Sequence, residues 1–511
     1  MKTNIKNFLR TIRRYKMAVA LNVLGLSVSF AAFMIIMTQV HYDYSFDRFH
    51  KDYDKIFRLE ITGSREGKEV ASAFFARPFA NQFIGSSPYI LDGAITNFSK
   101  VPCRFHVETD GERTYYDEEQ LVISPSFFDV FSFNFVEGTK NFAPRQVVIP
   151  LSLSRKIFGN ESAVGQQIVH SSWGLQTVAA VYRDFPDNSS VGNYLYFALG
   201  ETENIQDWSN LNYRIFIRVN DLSNLSVIID NFKQNFEPPE NRRGNYNWEE
   251  KELRLTALKN LHFVTDVQND DVQKENTQTL MILFAISIVI IVIAGINFTN
   301  FSIALAPKRI KAINTQRIFG AGKLSMMTSI VLEAVFLSLL SCIIAVLLYK
   351  WFLGSPLVTF VDTITVSRPL IIGGVALMAL LVGLLAGLYP ARYMTSFAPA
   401  LAIKGSFGIT PGGKKLRNIT TSVQFVASFV LIIAASFMYL QNRFMQKSPL
   451  GYNKDEIVTV NIGSLRNHSE AIIAQLKEFS GIEDLTYGSF LLANSDDIYI
   501  WNGDDSIKIR I

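Results

Sequence analysis

Two short stretches of this chain carry residue types at a spacing that invites a chemical reading. Cys103-Arg-Phe-His106 sets a sulfur and an imidazole three positions apart, which could begin a zinc site. Such a site needs a second ligand pair, and the other histidines (His41, His50, His170, His262 and His468) are scattered without matching spacing. A buried cysteine beside a surface histidine is the favoured reading, and no metal is expected. Gly320-Ala-Gly-Lys-Leu-Ser325 resembles a phosphate loop at first sight. That loop requires a glycine five positions before its Gly-Lys and a Ser or Thr directly after it, where this chain has Arg317 and Leu324. No G-x-S-x-G nucleophile turn occurs either. The chain therefore reads as no enzyme, with no cofactor of its own, and any ATP and Mg belong to a partner.

More chemistry sits in apolar surroundings. Glu333 lies about nine residues into a long apolar run, roughly 13 Å deep at 1.5 Å per residue. An ionised group there costs about 3 kcal/mol, so it must be protonated, paired or turned to a bundle interior. It could let neighbouring helices feel each other's movement, or serve as simple interhelical glue. Asn297 and Asn300, near the end of the preceding apolar run, are candidate partners. Between the two runs, Ala306–Lys323 carries Lys308, Arg309, Lys311, Arg317 and Lys323 and no acid. If helical from about Pro307, it brings Ile310 and Ile313 together with Arg317 one turn further along. A helix lying at a membrane surface fits this pattern, and so does a docking element for a cytoplasmic partner.

The elements that position these residues are membrane spans. The chain is 49% hydrophobic and 18% charged, and the apolar residues collect in blocks long enough to cross a bilayer. Met17–Val40, Leu280–Leu305, Leu324–Tyr349, Leu370–Tyr389 and Ile419–Leu440 are the expected spans. The first is too long for the apolar region of a signal peptide and reads as an anchor. The head 1–16, the connection 306–323 and the linker 390–418 hold Lys and Arg without acid, whereas Asp362 and Arg368 balance each other over Leu353–Pro369 of the outer loop 350–369. Positive segments stay inside, so the N-terminus is expected to be cytoplasmic, and the +4 net charge reflects anionic headgroups and not nucleic acid. Residues 41–279 then form an outer domain. Runs such as Gln146–Pro150, Gln176–Val181 and Arg214–Val219 alternate with helix-like Ser223–Phe236, which predicts α+β. Gly63, Pro102, Gly111 and Asp184–Asn188 read as breakers. Cys103 and Cys342 are placed too differently to pair.

The chain also begins to repeat. Arg13-Arg14-Tyr-Lys16 precedes the first span and Lys414-Lys-Leu-Arg417 the fifth, and the strand-like Asp54-Lys-Ile-Phe-Arg58 has a counterpart in Asp455-Glu-Ile-Val-Thr459. Residues 441–511 are thus expected to start a second, incomplete outer domain, as in the front part of a duplicated protein.

Several segments in order resemble the MacB/FtsX-type ABC transporter permeases, in particular their long duplicated form in Bacteroidetes-like bacteria. They are Asp47-Arg-Phe-His50 with Ile56-Phe-Arg58, Ser126-Phe-Phe-Asp-Val-Phe-Ser132, Val136-Glu-Gly138 and Leu153-Ser-Arg-Lys-Ile-Phe-Gly159 with Val164-Gly165. Asp184-Phe-Pro-Asp-Asn-Ser189, Ile296-Asn-Phe-Thr-Asn300, Gly320-Ala321, Glu333, Gly387-Leu-Tyr-Pro-Ala391, Leu401 and Lys404-Gly405 follow. The resemblance implies a multi-pass α-helical inner-membrane protein with an α+β periplasmic core domain. It also implies that 306–323 is the coupling helix seated in a separate cytoplasmic ABC ATPase, with Arg309, Lys311, Ile313, Arg317, Gly320 and Ala321 matching the pattern. Ala312, Asn314 and Gln316 replace the family's usual Glu, Gly and second basic residue, which implies a specialised or weakly coupled ATPase.

By the same resemblance, ATP hydrolysis in the partner would drive export, extraction or release of a substrate at the periplasmic face. The implied partners are the ATPase, a second permease copy or paralogue, a periplasmic or outer-membrane protein, and the lipid bilayer. The alternative is a non-transporting FtsX-like regulator whose outer domain activates a periplasmic partner such as a cell-wall hydrolase. In the helix-end motif Gly387, Tyr389, Pro390, Lys404 and Gly405, Pro390 is expected to stop the fourth span and Tyr389 to suit the interface.

Overall fold

A computed structural model of the chain describes residues 16–65, 68–97, 100–109, 111–241, 248, 251–268, 270–355, 368–396 and 411–449, with 457–458, 469–482, 484–485, 497–502 and 505–510 further on. By internal contacts it forms two units, Met1–Gln446 and Lys447–Ile511. The second holds a short helix, Ser469–Lys477, and a hairpin of Asp497–Asn502 with Asp505–Arg510. Most of the Asp455–Thr459 run lies outside the described residues.

In the first unit the helices are α1 (Lys16–Tyr44), α2 (Arg77–Gly85), α3 (Phe127–Val130), α4 (Leu151–Phe158), α5 (Leu225–Asn235), α6 (Thr277–Ala304), α7 (Ala306–Ile318), α8 (Lys323–Leu353), α9 (Arg368–Thr395) and α10 (Pro411–Lys447). Of these, α1, α6, α8, α9 and α10 are long and apolar enough to cross a membrane. In lipid no water satisfies a backbone amide, so an apolar run is driven into a helix that satisfies its own. α1, α6, α8 and α9 share a core that includes Phe30, Met34, Ala294, Phe298, Leu337, Ala345, Val375 and Ala379. α10 stands apart from that core, with Phe425, Phe429 and Ile433 exposed.

Between α1 and α6 lies the α+β domain. Its strands are β1 (Ile56–Arg65), β2 (Lys68–Ser72), β3 (Ile90–Asn97), β4 (Val101–Thr109), β5 (Glu112–Ile123), β6 (Phe135–Gly138), β7 (Gln146–Pro150), β8 (Gln167–His170), β9 (Gly174–Tyr182), β10 (Leu195–Ala198), β11 (Tyr213–Val219) and β12 (Lys251–Ala257). The sheet order is β10-β7-β9-β8-β4-β5-β3-β11-β1-β12, and β10 also pairs with β5, so six strands close into a ring. Alternation decides which side each residue faces. Cys103, Phe105 and Val107 of β4 point into the core while Arg104 and Glu108 stay outside. In the central β11, Ile215 and Ile217 join one core with Phe79, Phe83 and Phe232, and Phe216 joins a second core with Phe127, Phe131 and Tyr196. Both faces of β11 are therefore covered, as its continuous apolar run requires.

Three expectations need correction. Gly63 and Pro102 do not break the chain: Gly63 pairs with both Val70 and Lys251 inside β1. Pro102 is the second residue of β4, where a missing N–H is tolerated. Pro390 does not end the fourth span, because α9 runs through it to Thr395. The reason is that the Ala386 carbonyl, which a residue at 390 would normally satisfy, accepts from Thr299 Oγ1 of α6 at 3.1 Å. A neighbouring helix supplies the bond that proline removes. Residues 390–395 are therefore helical, and the next described helix, α10, begins at Pro411.

Candidate functional site

At the end of the bundle opposite the α+β domain, α6 gives way to α7. Pro307 sits in the first turn of α7, where its missing N–H costs least. The other end of α7 closes in a Schellman motif: Ala321 N donates to Gln316 O at 3.1 Å, and Gly320 N donates to Arg317 O at 3.0 Å. Gly320 adopts φ +92°, which a residue with a Cβ resists. This turn folds α8 back against α7. Ala306 and Ile310 become buried beside Met394 of α9, with Ile313, Ile330 and Tyr393 around them. Arg309 is turned to Glu333 of α8 and forms an ion pair with it, at 17% and 14% side-chain exposure. Arg317 Nη1 donates to the Thr395 carbonyl at 3.4 Å.

The polar position in the third span thus has a partner that the sequence did not offer. Glu333 pairs with Arg309 and not with Asn297 or Asn300 as expected. Asn300 instead meets Thr420 and Thr421 of α10, each at 3.3 Å, and Asn297 is half-buried on α6. Lys311 and Ile313 lie on α7, and Ala321 follows the Gly320 turn. Tyr389 stacks on Tyr393 with centroids 6.4 Å apart, while Lys404 and Gly405 lie outside the described residues. The face of α7 turned away from the bundle exposes Thr315, Gln316 and Ile318, and Phe319 just beyond is 86% exposed.

Gly387 has a role beyond the helix end. A Cβ there would meet the Ala334 Cβ at 2.6 Å, and one at Gly383 would meet the Val335 Cα at 2.7 Å. Gly383 and Gly387 form a G-x-x-x-G that lets α9 approach α8 closely. Sequence reasoning passed over Gly383, although the motif stands inside an apolar run.

At the opposite end, α1 enters the α+β domain through a buried joint. Asp43 Oδ1 lies 3.1 Å from His262 Nε2, and His262 Nδ1 donates to the Gln273 carbonyl at 2.7 Å. Both residues are 1% exposed, and Phe46 stacks on the imidazole at 4.0 Å. One turn on, Asp47 accepts from Ser190 N and Ser190 Oγ, both at 2.6 Å. Asn188 Nδ2 donates to Ser45 Oγ at 2.9 Å. Asp47-Arg-Phe-His50 and the Asp184–Ser190 stretch are therefore one contact surface. Burial raises the Asp47 carboxyl to about 7, against the Ser190 hydrogen bonds that lower it. Burial among Phe49, Phe131 and Phe185 pushes His50 down to about 3.

A second buried network ties the segment leading into α6 to the sheet. Asp270 lies 2.7 Å from Arg58 and 2.7 Å from Lys274, and Glu60 lies 2.7 Å from both Arg58 and Arg254. Burial alone would raise the Asp270 carboxyl, but Arg58 and Lys274 hold it down at about 2. Each buried charge is matched, as desolvation demands. Among the described residues no cluster of His, Cys, Asp and Glu is placed to hold a metal. Cys103 is buried and free.

Fold and site define a multi-pass membrane permease with an α+β domain inserted between its first two spans. The family profile of the MacB-like periplasmic core domain matches residues 19–234, and that of the FtsX-like permease C-terminal domain matches residues 284–399. The chain belongs to the MacB/FtsX permease family. Among solved structures it is similar to a domain of a permease protein from Porphyromonas gingivalis, at 17% identity over 46% of this chain and 98% of that one, with a TM-score of 0.35. The periplasmic region of MacB from Actinobacillus actinomycetemcomitans follows at 14% identity, 39% and 88% coverage and a TM-score of 0.28. The extracellular domain of the noncanonic ABC-type transporter YknZ from Gram-positive bacteria shows 13% identity, 39% and 99% coverage and a TM-score of 0.27. No match is found among curated proteins.

Proposed function

We propose that the chain is the permease subunit of a mechanotransmitting ABC transporter, working as a pair with a second permease and driven by a separate cytoplasmic ATPase that binds ATP and Mg. The observation that carries this reading is α7: a short helix at the end of the bundle, packed on α9 through Ile310 and Met394 and ion-paired to α8, with Phe319 outward. Such a helix can take a push and cannot absorb it by sliding alone. The basic residues of 306–323 and its lack of acidic residues favour a cytoplasmic position, with which an N-terminus inside and an α+β domain in the periplasm agree. There the domain would act on substrate outside the bilayer. For the lever to work, nucleotide in the ATPase must favour one arrangement of α7 over another by differential contact.

The test is capture in detergent of each ABC ATPase of the same organism by the tagged chain, with and without ATP, beside Phe319→Glu. Selective capture of one ATPase, lost in the variant while the chain stays folded, is expected. Equal capture by wild type and variant overturns the assignment of α7 as the docking element.

A further inference from the structure

One helix runs the length of the bundle and is pinned by two polar contacts. About a third of the way along its 31 residues, α8 meets α7 through Glu333 and Arg309. Close to its C-terminal end, Tyr349 Oη lies 2.7 Å from Thr38 Oγ1 of α1. The Thr38 hydroxyl donates to the Met34 carbonyl at 2.7 Å, so Tyr349 is the donor across the helices. Tyr349 is 2% exposed and Thr38 is fully buried. Along α8 the two pins are about sixteen residues, or roughly 24 Å, apart. Between them Ser338 Oγ donates to the Ala379 carbonyl of α9 at 2.6 Å, so α8 and α9 behave as a packed pair. The direct route from α7 into α6 is a corner, because Pro307 has no N–H to carry the helical ladder across it.

We propose that α8 is the strut that carries displacement of α7 to α1, with Arg309–Glu333 as one pin and Tyr349–Thr38 as the other. Arg309 is then a positioning residue within this chain, and the partner contact falls to the exposed face of α7. From Thr38 the push reaches the α+β domain little more than a turn further on, at Asp43 with His262 and Asp47 with Ser190. A single buried hydroxyl pair is a small contact, but packed helices with discrete arrangements transmit small shifts without damping them. This deepens the reading of α7 as the element that a motor moves and rests on it for its biological sense.

The test needs no motor. Amide hydrogen exchange is followed on the full chain in lipid nanodiscs at residues 309–318 and at the joint, 42–50. The variants are Arg309→Glu, Arg309→Glu with Glu333→Arg, Tyr349→Phe, and Arg309→Glu with Tyr349→Phe. Arg309→Glu is expected to speed exchange about tenfold in α7 and severalfold at the joint, and the charge swap to return both to wild type. With Tyr349→Phe in place, Arg309→Glu still loosens α7 and no longer alters the joint. A joint that ignores Arg309→Glu, or responds equally with and without the Tyr349 hydroxyl, overturns the strut. Glu333→Gln loosens the same pin with little change of shape and is read in the same way if Arg309→Glu fails to fold. A parallel arm adds the cognate ATPase: absent permease-dependent turnover beside the expected exchange pattern rejects the motor reading and leaves the strut standing.

Discussion

Thr299→Val in α6 removes one hydroxyl while keeping the shape of the side chain, and its cost depends on a proline in another helix. Pro390 deprives the Ala386 carbonyl of its intrahelical donor, and Thr299 Oγ1 reaches that carbonyl at 3.1 Å while also lying 2.9 Å from the Gly295 carbonyl of its own helix. A neutral hydrogen bond contributes about 0.5–1.5 kcal/mol, and those between membrane helices average about 0.6 kcal/mol. With the hydroxyl shared between two acceptors and one of them otherwise bare, Thr299→Val should cost about 1 kcal/mol. Pro390→Ala supplies an N–H in the right place for Ala386. In that background the same valine should cost less than about 0.3 kcal/mol, since only the local Gly295 bond is lost. The double-mutant cycle is read from reversible unfolding in mixed detergent micelles, and a valine that costs the same with and without Pro390 refutes the explanation of why α9 continues through it.

Further expectations follow from the same packing and charges. Gly383→Ala puts a Cβ 2.7 Å from the Val335 Cα, a backbone contact, and should destabilise the bundle by about 1–3 kcal/mol, whereas Gly374→Ala, with open space around it, should be silent in the same unfolding assay. His262→Ala leaves Asp43 Oδ1 without its imidazole partner in the joint, with Gln39 Nε2 still 2.9 Å from Oδ2, and should cost about 1–3 kcal/mol, with much of that recovered when Asp43→Ala is added; equal cost in the double variant contradicts the pairing. Asp47 and His50 make opposite contributions with pH. The Asp47 carboxyl, raised to about 7, adds stability at low pH that is lost as pH rises from about 4 through 7; His50, lowered to about 3, adds stability at neutral pH that is lost as pH falls from about 6.5 toward 3. Thermal melts should therefore show His50→Phe gaining, and Asp47→Asn losing, on the order of 3 kcal/mol relative to wild type between pH 7 and pH 4. Parallel pH curves for all three proteins exclude this account.

What could be read from the chain alone follows from where the physics is local. Hydropathy and short apolar runs depend on neighbours in sequence, so α1, α6, α8 and the β7 strand at Gln146–Pro150 were legible. Pro390 was misread because the rule that proline ends a helix assumes that no other group can serve the freed carbonyl, and Thr299 comes from a helix far away in sequence. The partner of Glu333 was missed for a similar reason. Arg309 and Glu333 meet only because the Gly320 turn folds α8 back on α7, and the angle of that turn is not written in residue types. Asp47 and Ser190, or Asp43 and His262, are joined only by the sheet that lies between them in the chain. The Gly383–Gly387 pair was legible and needed only attention to spacing.

The central claim is that α7 receives work from an ATPase and that the clamp of α7 on α8 delivers it. The most direct measurement is ATP turnover by the cognate ATPase with the full chain in nanodiscs, comparing wild type, Phe319→Glu, Glu333→Gln and the Arg309→Glu, Glu333→Arg swap. The account predicts that wild type and the swap change turnover from that of the ATPase alone, that Phe319→Glu returns it to the ATPase-alone level, and that Glu333→Gln leaves the ATPase bound but weakly coupled. Turnover that is identical in all four proteins contradicts it.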